Sequence, residues 1–253
     1  MENYTLWKQL LTGGEDIGFW KEQYVYFYQA FIENDRWLQY IEGVGTTIVV
    51  TACALVIGVI LGVLVATVRT AHDQQRVGQR NIVLGFFNAI FKVYVTVIRG
   101  TPMMVQLLIM GFVIFKTSRN TTMVGALTLG INSGAYVSEI IRGGLMNLDR
   151  GQSEAGRSLG LGYIDTMRYI VIPQAFKAIL PALGNEFIIL LKDTSLITVI
   201  GGKELVHAAQ GIVDRTYEAM YPFFGAAAVY LVLVMIFSWL QGKLERRLRQ
   251  SER

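Results

Sequence analysis

The chain has 253 residues, of which 53% are hydrophobic and only 17% charged, with a mean hydropathy of +0.41. Soluble domains average about 45–50% apolar and 25% charged residues, so this balance excludes an ordinary soluble domain and points to a membrane-embedded one. The formal charge is +4 and the pI near 9.1, yet the Lys and Arg residues are scattered between apolar runs instead of forming one patch, which argues against a nucleic-acid partner.

The first 43 residues carry Glu2, Glu15, Asp16, Glu22, Glu33, Asp35 and Glu42 against only Lys8, Lys21 and Arg36. That acidic balance fits an extracytoplasmic or interfacial segment. Trp20, Tyr24, Phe27, Tyr28 and Phe31 recur there at helical spacing, which suits either an amphipathic anchor in the outer interface or a helix packed on its neighbours. A signal peptide's basic start and early apolar core are missing, so the first long apolar run, residues 44–68, is expected to stay as a spanning helix. It holds Gly58 and Gly62 at GxxxG spacing and the only cysteine, Cys53, which reads as a small buried hydrophobe. His72 and His207 stand far apart, with no ligand spacing around either.

Four more segments approach the length of about 20 apolar residues that a span requires: 81–115, 122–141, 174–191 and 222–240. Residues 81–115 are interrupted by Lys92 and by Arg99-Gly100-Thr101-Pro102. Basic residues accumulate in short cytoplasmic loops, which places Arg69, Arg76 and Arg80 inside together with Lys243, Arg246, Arg247, Arg249 and Arg253 of the tail. An even number of crossings must join the two. One crossing in 81–115 also keeps Arg142, Arg150, Arg157 and Arg168 inside. The expected architecture is therefore an all-α polytopic membrane protein with five transmembrane helices, N-terminus out and C-terminus in. Residues 44–245 form the transmembrane domain and 246–253 a basic cytoplasmic tail. Residues 81–98 are expected to lie at least partly along the cytoplasmic face before a bend at Thr101-Pro102, where proline lacks an amide hydrogen and restricts its predecessor.

Between the third and fourth spans lies a polar, helix-capable island. Arg150-Gly151-Gln152 offers a turn, and Ser153 can cap a helix whose first turn holds Glu154, the sign that the helix dipole favours. Gly156, Gly160 and Gly162 weaken such a helix by about 1 kcal/mol each relative to alanine and suit close backbone approach. The chain has no GxxxxGK[ST] phosphate loop, and its glycine clusters do not follow the GxGxxG order. No nucleophile–base constellation stands out either. The chain is expected to be no enzyme, and any energy must come from a partner.

Four runs together resemble the ABC transporter permeases of the polar amino-acid uptake family: Gly45-Thr46-Thr47, Arg99-Gly100-Thr101-Pro102-Met103-Met104-Val105-Gln106-Leu107, the EAA region at about 150–173, and Leu191-Lys192-Asp193-Thr194-Ser195-Leu196. They cover most of the chain from about residue 43 to 245. The resemblance implies the type I importer permease fold, in which a short coupling helix parallel to the membrane docks in a groove of a cytoplasmic ATPase. Glu154, Ala155 and Gly160 match EAAxxxG, and Pro173 matches the downstream proline. Gly156 departs from the pattern, standing where alanine is usual, and implies a slightly looser helix. With Leu159 these make up the expected coupling set.

The implied assembly has two ATPase subunits, a second permease that is identical or a sister chain, an extracytoplasmic amino-acid-binding protein and surrounding lipid, in the bacterial cytoplasmic membrane. ATP and Mg sit on the partner ATPase, with no cofactor on this chain. Ionisable and amide groups within spans usually face a cavity or a partner. An α-amino acid needs groups of both signs, which Asn185, Glu186, Lys192, Asp193 and Ser195 could provide, with Glu139 and, from the first span, Thr47. Two structural readings stand beside this one: Lys192 paired with Asp193, and Glu139 paired with Arg142. At the level of function the alternatives are a permease of the same superfamily for another small solute, or a membrane signalling or scaffold protein.

Overall fold

The computed structural model describes residues 2–75 and 81–250, and every element among them is helical. Arg76, Arg80 and Arg253, on which part of the charge argument rests, lie outside the described residues. Helices α1 (Glu2–Thr12) and α2 (Phe19–Phe31) open the chain. They pack through aromatic rings, Tyr4 on Tyr28 at 4.1 Å and Trp7 on Tyr24 at 5.7 Å. Lys8 and Arg36 both pair with Glu33 just beyond α2. The expected aromatic stripe divides between its two roles. Phe27 and Phe31 pack on Tyr221 and Tyr40, whereas Trp20 is 82% exposed.

Helix α3 (Trp37–Asp73) has 37 residues, about 55 Å at 1.5 Å per residue, so it outruns the roughly 30 Å hydrocarbon thickness. It also outruns the expected 44–68. After it come α4 (Ile82–Gly100) and α5 (Met103–Ile109), the latter widening into a π-turn at Met110–Ile114. Then follows α6 (Thr121–Met146). The Asn81 side chain caps α4 by accepting from Val83 N at 2.9 Å, and Asn120 caps α6 by accepting from Met123 N at 3.0 Å. Two short helices, α7 (Arg150–Ser158) and α8 (Tyr163–Thr166), lead through a π-turn at Met167–Val171 into α9 (Ile172–Asp193) and a 3-10 stretch at Thr194–Ile200. Helices α10 (Leu205–Thr216) and α11 (Met220–Gln250) complete the described chain.

The α3–α6 pair is the axis of the fold. Its two helices run parallel, and small residues let them touch. A Cβ on Gly58 would stand 2.8 Å from Ser133 Oγ, and one on Gly62 would stand 2.5 Å from Val137 Cγ1. Gly130 and Gly134 return the arrangement against Ile57 and Leu61. The GxxxG spacing thus serves packing inside the chain, where close backbone approach gains dispersion contacts. α9 runs antiparallel to α6, as Ser133–Glu186 and Gly144–Ile179 show. α11 runs antiparallel to α9, with Phe187 on Phe237 at 4.8 Å and Thr194 near Tyr230.

Four stretches have the length and hydropathy of spans: Glu33–Asp73, Ile82–Gly100, Tyr163–Ile200 and Met220–Leu248. α6 is less apolar because it is the interior helix. Ser133, Ala135, Val137 and Ser138 are fully buried against protein.

Two expectations are corrected here. Residues 81–98 do not lie flat along one face. α4 climbs beside α3 in the opposite direction, from Asn88 at His72 to Val95 in the cluster with Val65, and Leu107 of α5 joins Val50 and Ala54 further along. Ile82–Gly100 is by itself long and apolar enough for a span, and Met103–Ile114 continues it as a shorter apolar helix. Cys53 is exposed on α3, not buried, because the single chain leaves that face of the helix uncovered.

Candidate functional site

The polar island folds as α7, but its start differs from the expectation. The cap is Asp149, whose carboxylate accepts from Gly151 N at 2.9 Å. The helix therefore begins at Arg150, before Ser153, and Glu154 falls in its middle. The end is a Schellman motif. Leu161 N bonds back to Gly156 O at 3.1 Å and Gly160 N to Arg157 O at 2.9 Å, with Gly160 at φ +79°, a left-handed conformation that glycine adopts without steric penalty. Gly160 and Gly162 thus stand outside α7, so neither weakens it. Gly160 also has open space where a Cβ would be, and its role is to end the helix.

Gly156 is the glycine in close contact. A Cβ there would stand 2.8 Å from Thr166 Cγ2, 2.9 Å from Thr166 Oγ1 and 3.1 Å from Ile170 Cδ1. The departure from alanine therefore seats α7 on the segment that leads into α9. Gln174 Nε2 donates to Gln152 Oε1 at 2.9 Å and closes a second contact between α7 and α9. Pro173 lies in the first turn of α9, directly after the π-turn, where its missing N–H suits an interrupted ladder. Glu154 and Ala155 are exposed and Leu159 is 78% exposed. The outer face of this helix is uncovered among the described residues.

At the same end of the bundle, Glu139 is held from two sides. Arg69 of α3 pairs with its Oε1, and Arg142 donates to its Oε2 at 3.2 Å. Arg142 also reaches Asp73 at 3.7 Å. The expected Glu139–Arg142 pair is present, extended by an arginine from another helix. A cavity of 580 Å³ lies beside it, between α7, α8 and the ends of α3 and α6, and its wall includes Thr70, Asp73, Asp149, Arg157, Tyr163 and Thr166.

The other expected path residues do not form one cluster. Glu186 is 6% exposed and accepts from Ser133 Oγ at 2.7 Å in the middle of the bundle. Asn185 and Lys192 are exposed, and Asp193 is partly buried. Lys192 and Asp193 interact electrostatically but make no ion pair within 4.0 Å among the described residues. Ser195 Oγ donates to the Lys192 carbonyl at 2.7 Å.

Thr47 belongs to a separate group at the far end. It is fully buried and accepts from Leu205 N at 3.4 Å. The centre of that group is Glu204, 1% exposed. Its carboxylate accepts from Tyr230 Oη at 2.7 Å, from Val206 N and His207 N at 2.8 Å each, and from Thr198 Oγ1. Four donors and the N-terminus of α10 satisfy this buried carboxylate. Sequence reasoning missed Glu204. The available signal was an acidic residue directly before a helical run, after Gly201-Gly202.

Gln106 is a functional-site residue to which sequence reasoning assigned no role. Its amide donates to Ile98 O at 2.8 Å and to Thr101 Oγ1 at 2.8 Å, while its oxygen accepts from Asn132 at 3.0 Å. It closes the break that Pro102 makes and ties that break to α6.

Residues 81–250 match the family described as binding-protein-dependent transport system inner membrane component. Over 213 residues, 83% of this chain and 92% of the relative, the chain is 35% identical to the glutamine transport system permease protein GlnP of Escherichia coli. The same figures hold for the protein of that name in Shigella flexneri. The chain belongs to this family. Among solved structures, this permease is 40% identical to a chain in a crystal structure of an amino acid ABC transporter with histidines, with a TM-score of 0.74 over 83% of this chain and 94% of that one. An inward facing structure of the MetNI methionine ABC transporter, at 16% identity and TM-score 0.70 over 86% and 99%, shares the fold. The family, with several long apolar helices, makes this permease a multi-pass membrane component of an importer and not an enzyme in itself.

Proposed function

We propose that this permease carries a polar amino acid, delivered by an extracytoplasmic binding protein, across the bacterial cytoplasmic membrane. It works with a second permease and two ATPase subunits, which supply the energy from ATP and Mg. The α3, α4–α5, α6, α9 and α11 segments are the five crossings, with the N-terminus out and the C-terminus in. The alternating helix directions support this count. Residues 1–43 stay outside and 246–253 inside.

The observation that carries the reading is α7: a short polar helix with an open outer face, clasped to the start of α9 at the end of the bundle that bears the Arg69–Glu139–Arg142 cluster. Glu154, Ala155 and Leu159 meet the ATPase, Gly160 ends the helix, and Gly156 and Pro173 set it on α9. The path for the amino acid runs along α9, where Asn185, Glu186, Lys192, Asp193 and Ser195 offer both signs of charge and amide and hydroxyl groups. Glu139 and Thr47 mark its two ends. Movement of α7 by the ATPase tilts these groups between the two sides, which is alternating access by helix movement.

The test is uptake by the reconstituted transporter with ATPase and binding protein present. Glu154→Lys should abolish stimulation of the ATPase by loaded binding protein while the permease remains folded. Wild-type uptake and stimulation in that variant would remove the coupling role of α7.

A further inference from the structure

Within that function, and resting on it, we propose that Thr166 is a positioning residue that fills the notch at Gly156, so that α7 and the root of α9 move as one body. α7 is joined to α6 only through the short stretch around Asn147–Asp149, yet its side-chain contacts go to the other side. Gly156 is buried, and its missing Cβ leaves just the space that Thr166 Cγ2 and Oγ1 fill. Ile170, inside the π-turn, completes the socket. One helical turn earlier on α7, Gln152 is hydrogen-bonded to Gln174 of α9. Two contacts about one turn apart fix an angle as well as a distance, so a push on the exposed face of α7 is passed to α9 without slippage.

Thr166 Oγ1 is buried and has no hydrogen-bond partner among the described residues. An unpartnered buried hydroxyl is unfavourable, so its shape, not its polarity, is what the notch uses. This separates the proposal from an ordinary stability role. Thr166→Val keeps the shape and removes the unpartnered oxygen, so it should leave coupling intact and thermal stability equal or higher. Gly156→Ala overfills the notch and Thr166→Ala empties it. The double variant places one methyl where two side-chain atoms stood and should fit again.

The readout is the ratio of amino acid imported to ATP hydrolysed by the full transporter with binding protein. For each single alanine variant the ratio should fall about fivefold or more, the scale of a misfitted close contact, with recovery in the double variant. A stability role alone would lower yield in the single variants but leave the ratio of surviving molecules unchanged, and that result would overturn the proposal. So would a double variant no better coupled than the singles.

A second experiment does not depend on those variants folding. With Cys53 replaced by serine, Gln152→Cys and Gln174→Cys are bridged by a short bifunctional thiol reagent. Bridging should leave uptake unchanged if α7 and α9 travel together. Uptake that stops on bridging and returns when a cleavable bridge is cut would show that they move against each other, and would also overturn the proposal. Absence of uptake in the unmodified transporter would instead count against the proposed function.

Discussion

Glu204 is the residue whose environment is most demanding. Its carboxylate meets two backbone N–H groups, a tyrosine and a threonine, and all four are donors. A glutamine keeps the shape but turns an N–H₂ group toward donors, leaving buried groups unpaired at a cost of about 1–3 kcal/mol each. Glu204→Gln should therefore lower the thermal midpoint of the solubilised permease, and Glu204→Ala should lower it further. An unchanged midpoint in both would mean that Glu204 does not hold the Thr194–Ile200 stretch, α10 and α11 together. Glu186 differs, because its carboxylate accepts one side-chain hydrogen bond among the described residues, from Ser133. Glu186→Gln retains that bond, so assembly with the ATPase should survive while uptake drops. Loss of assembly and uptake together would assign Glu186 to structure instead of the path.

At the scale of elements, the contact between α3 and α6 depends on missing side chains. A Cβ at Gly62 would overlap Val137, whose Cγ1 and Cβ stand 2.5 and 2.8 Å away. Overpacking of this kind costs about 1–3 kcal/mol for small additions and more for large ones. Gly62→Leu should block stable assembly, while Gly62→Ala should be tolerated poorly alone and better with Val137→Ala. Retention of assembled complex on size exclusion in detergent measures this. Full recovery of Gly62→Leu would show that the helices can separate without harm. The break between α4 and α5 follows a second local rule: Pro102 interrupts the ladder, and Gln106 supplies donors to the carbonyls at Ile98 and Thr101.

For the whole molecule, the proposed five-crossing path sets which side each site should face. In a Cys53→Ser background, cysteines near Glu15 and Asn120 should react with a membrane-impermeant thiol reagent from outside. One at Gln152 should react only after the membrane is opened. Labelling of Gln152 from outside would overturn the topology and separate α7 from the ATPase.

Membrane class, the all-helical architecture and the polar α7 island were all legible in the sequence. These depend on composition, on runs of local length and on residue types such as Pro102 that act on their own backbone. The four quoted runs also carried the family. The partners were not legible. Glu204 meets Tyr230 from a helix 26 residues on, Glu139 meets Arg69 from 70 residues back, and Gly156 meets Thr166 across a turn. Such pairings depend on which helix faces are brought together, and periodicity within one helix does not encode that. The same reason explains the misreadings. Ser153 and Glu154 made a plausible helix start until Asp149 was seen to cap it. Residues 81–98 looked interfacial until α3 was found beside them. Gly156 looked like a loosened alanine position until Thr166 and Ile170 occupied its missing side chain. Sequence alone determined what must be buried in lipid or protein and where the chain breaks, because those follow from local transfer energies and backbone sterics. Only the tertiary structure decided which groups share a site, because contact over distance is a property of packing.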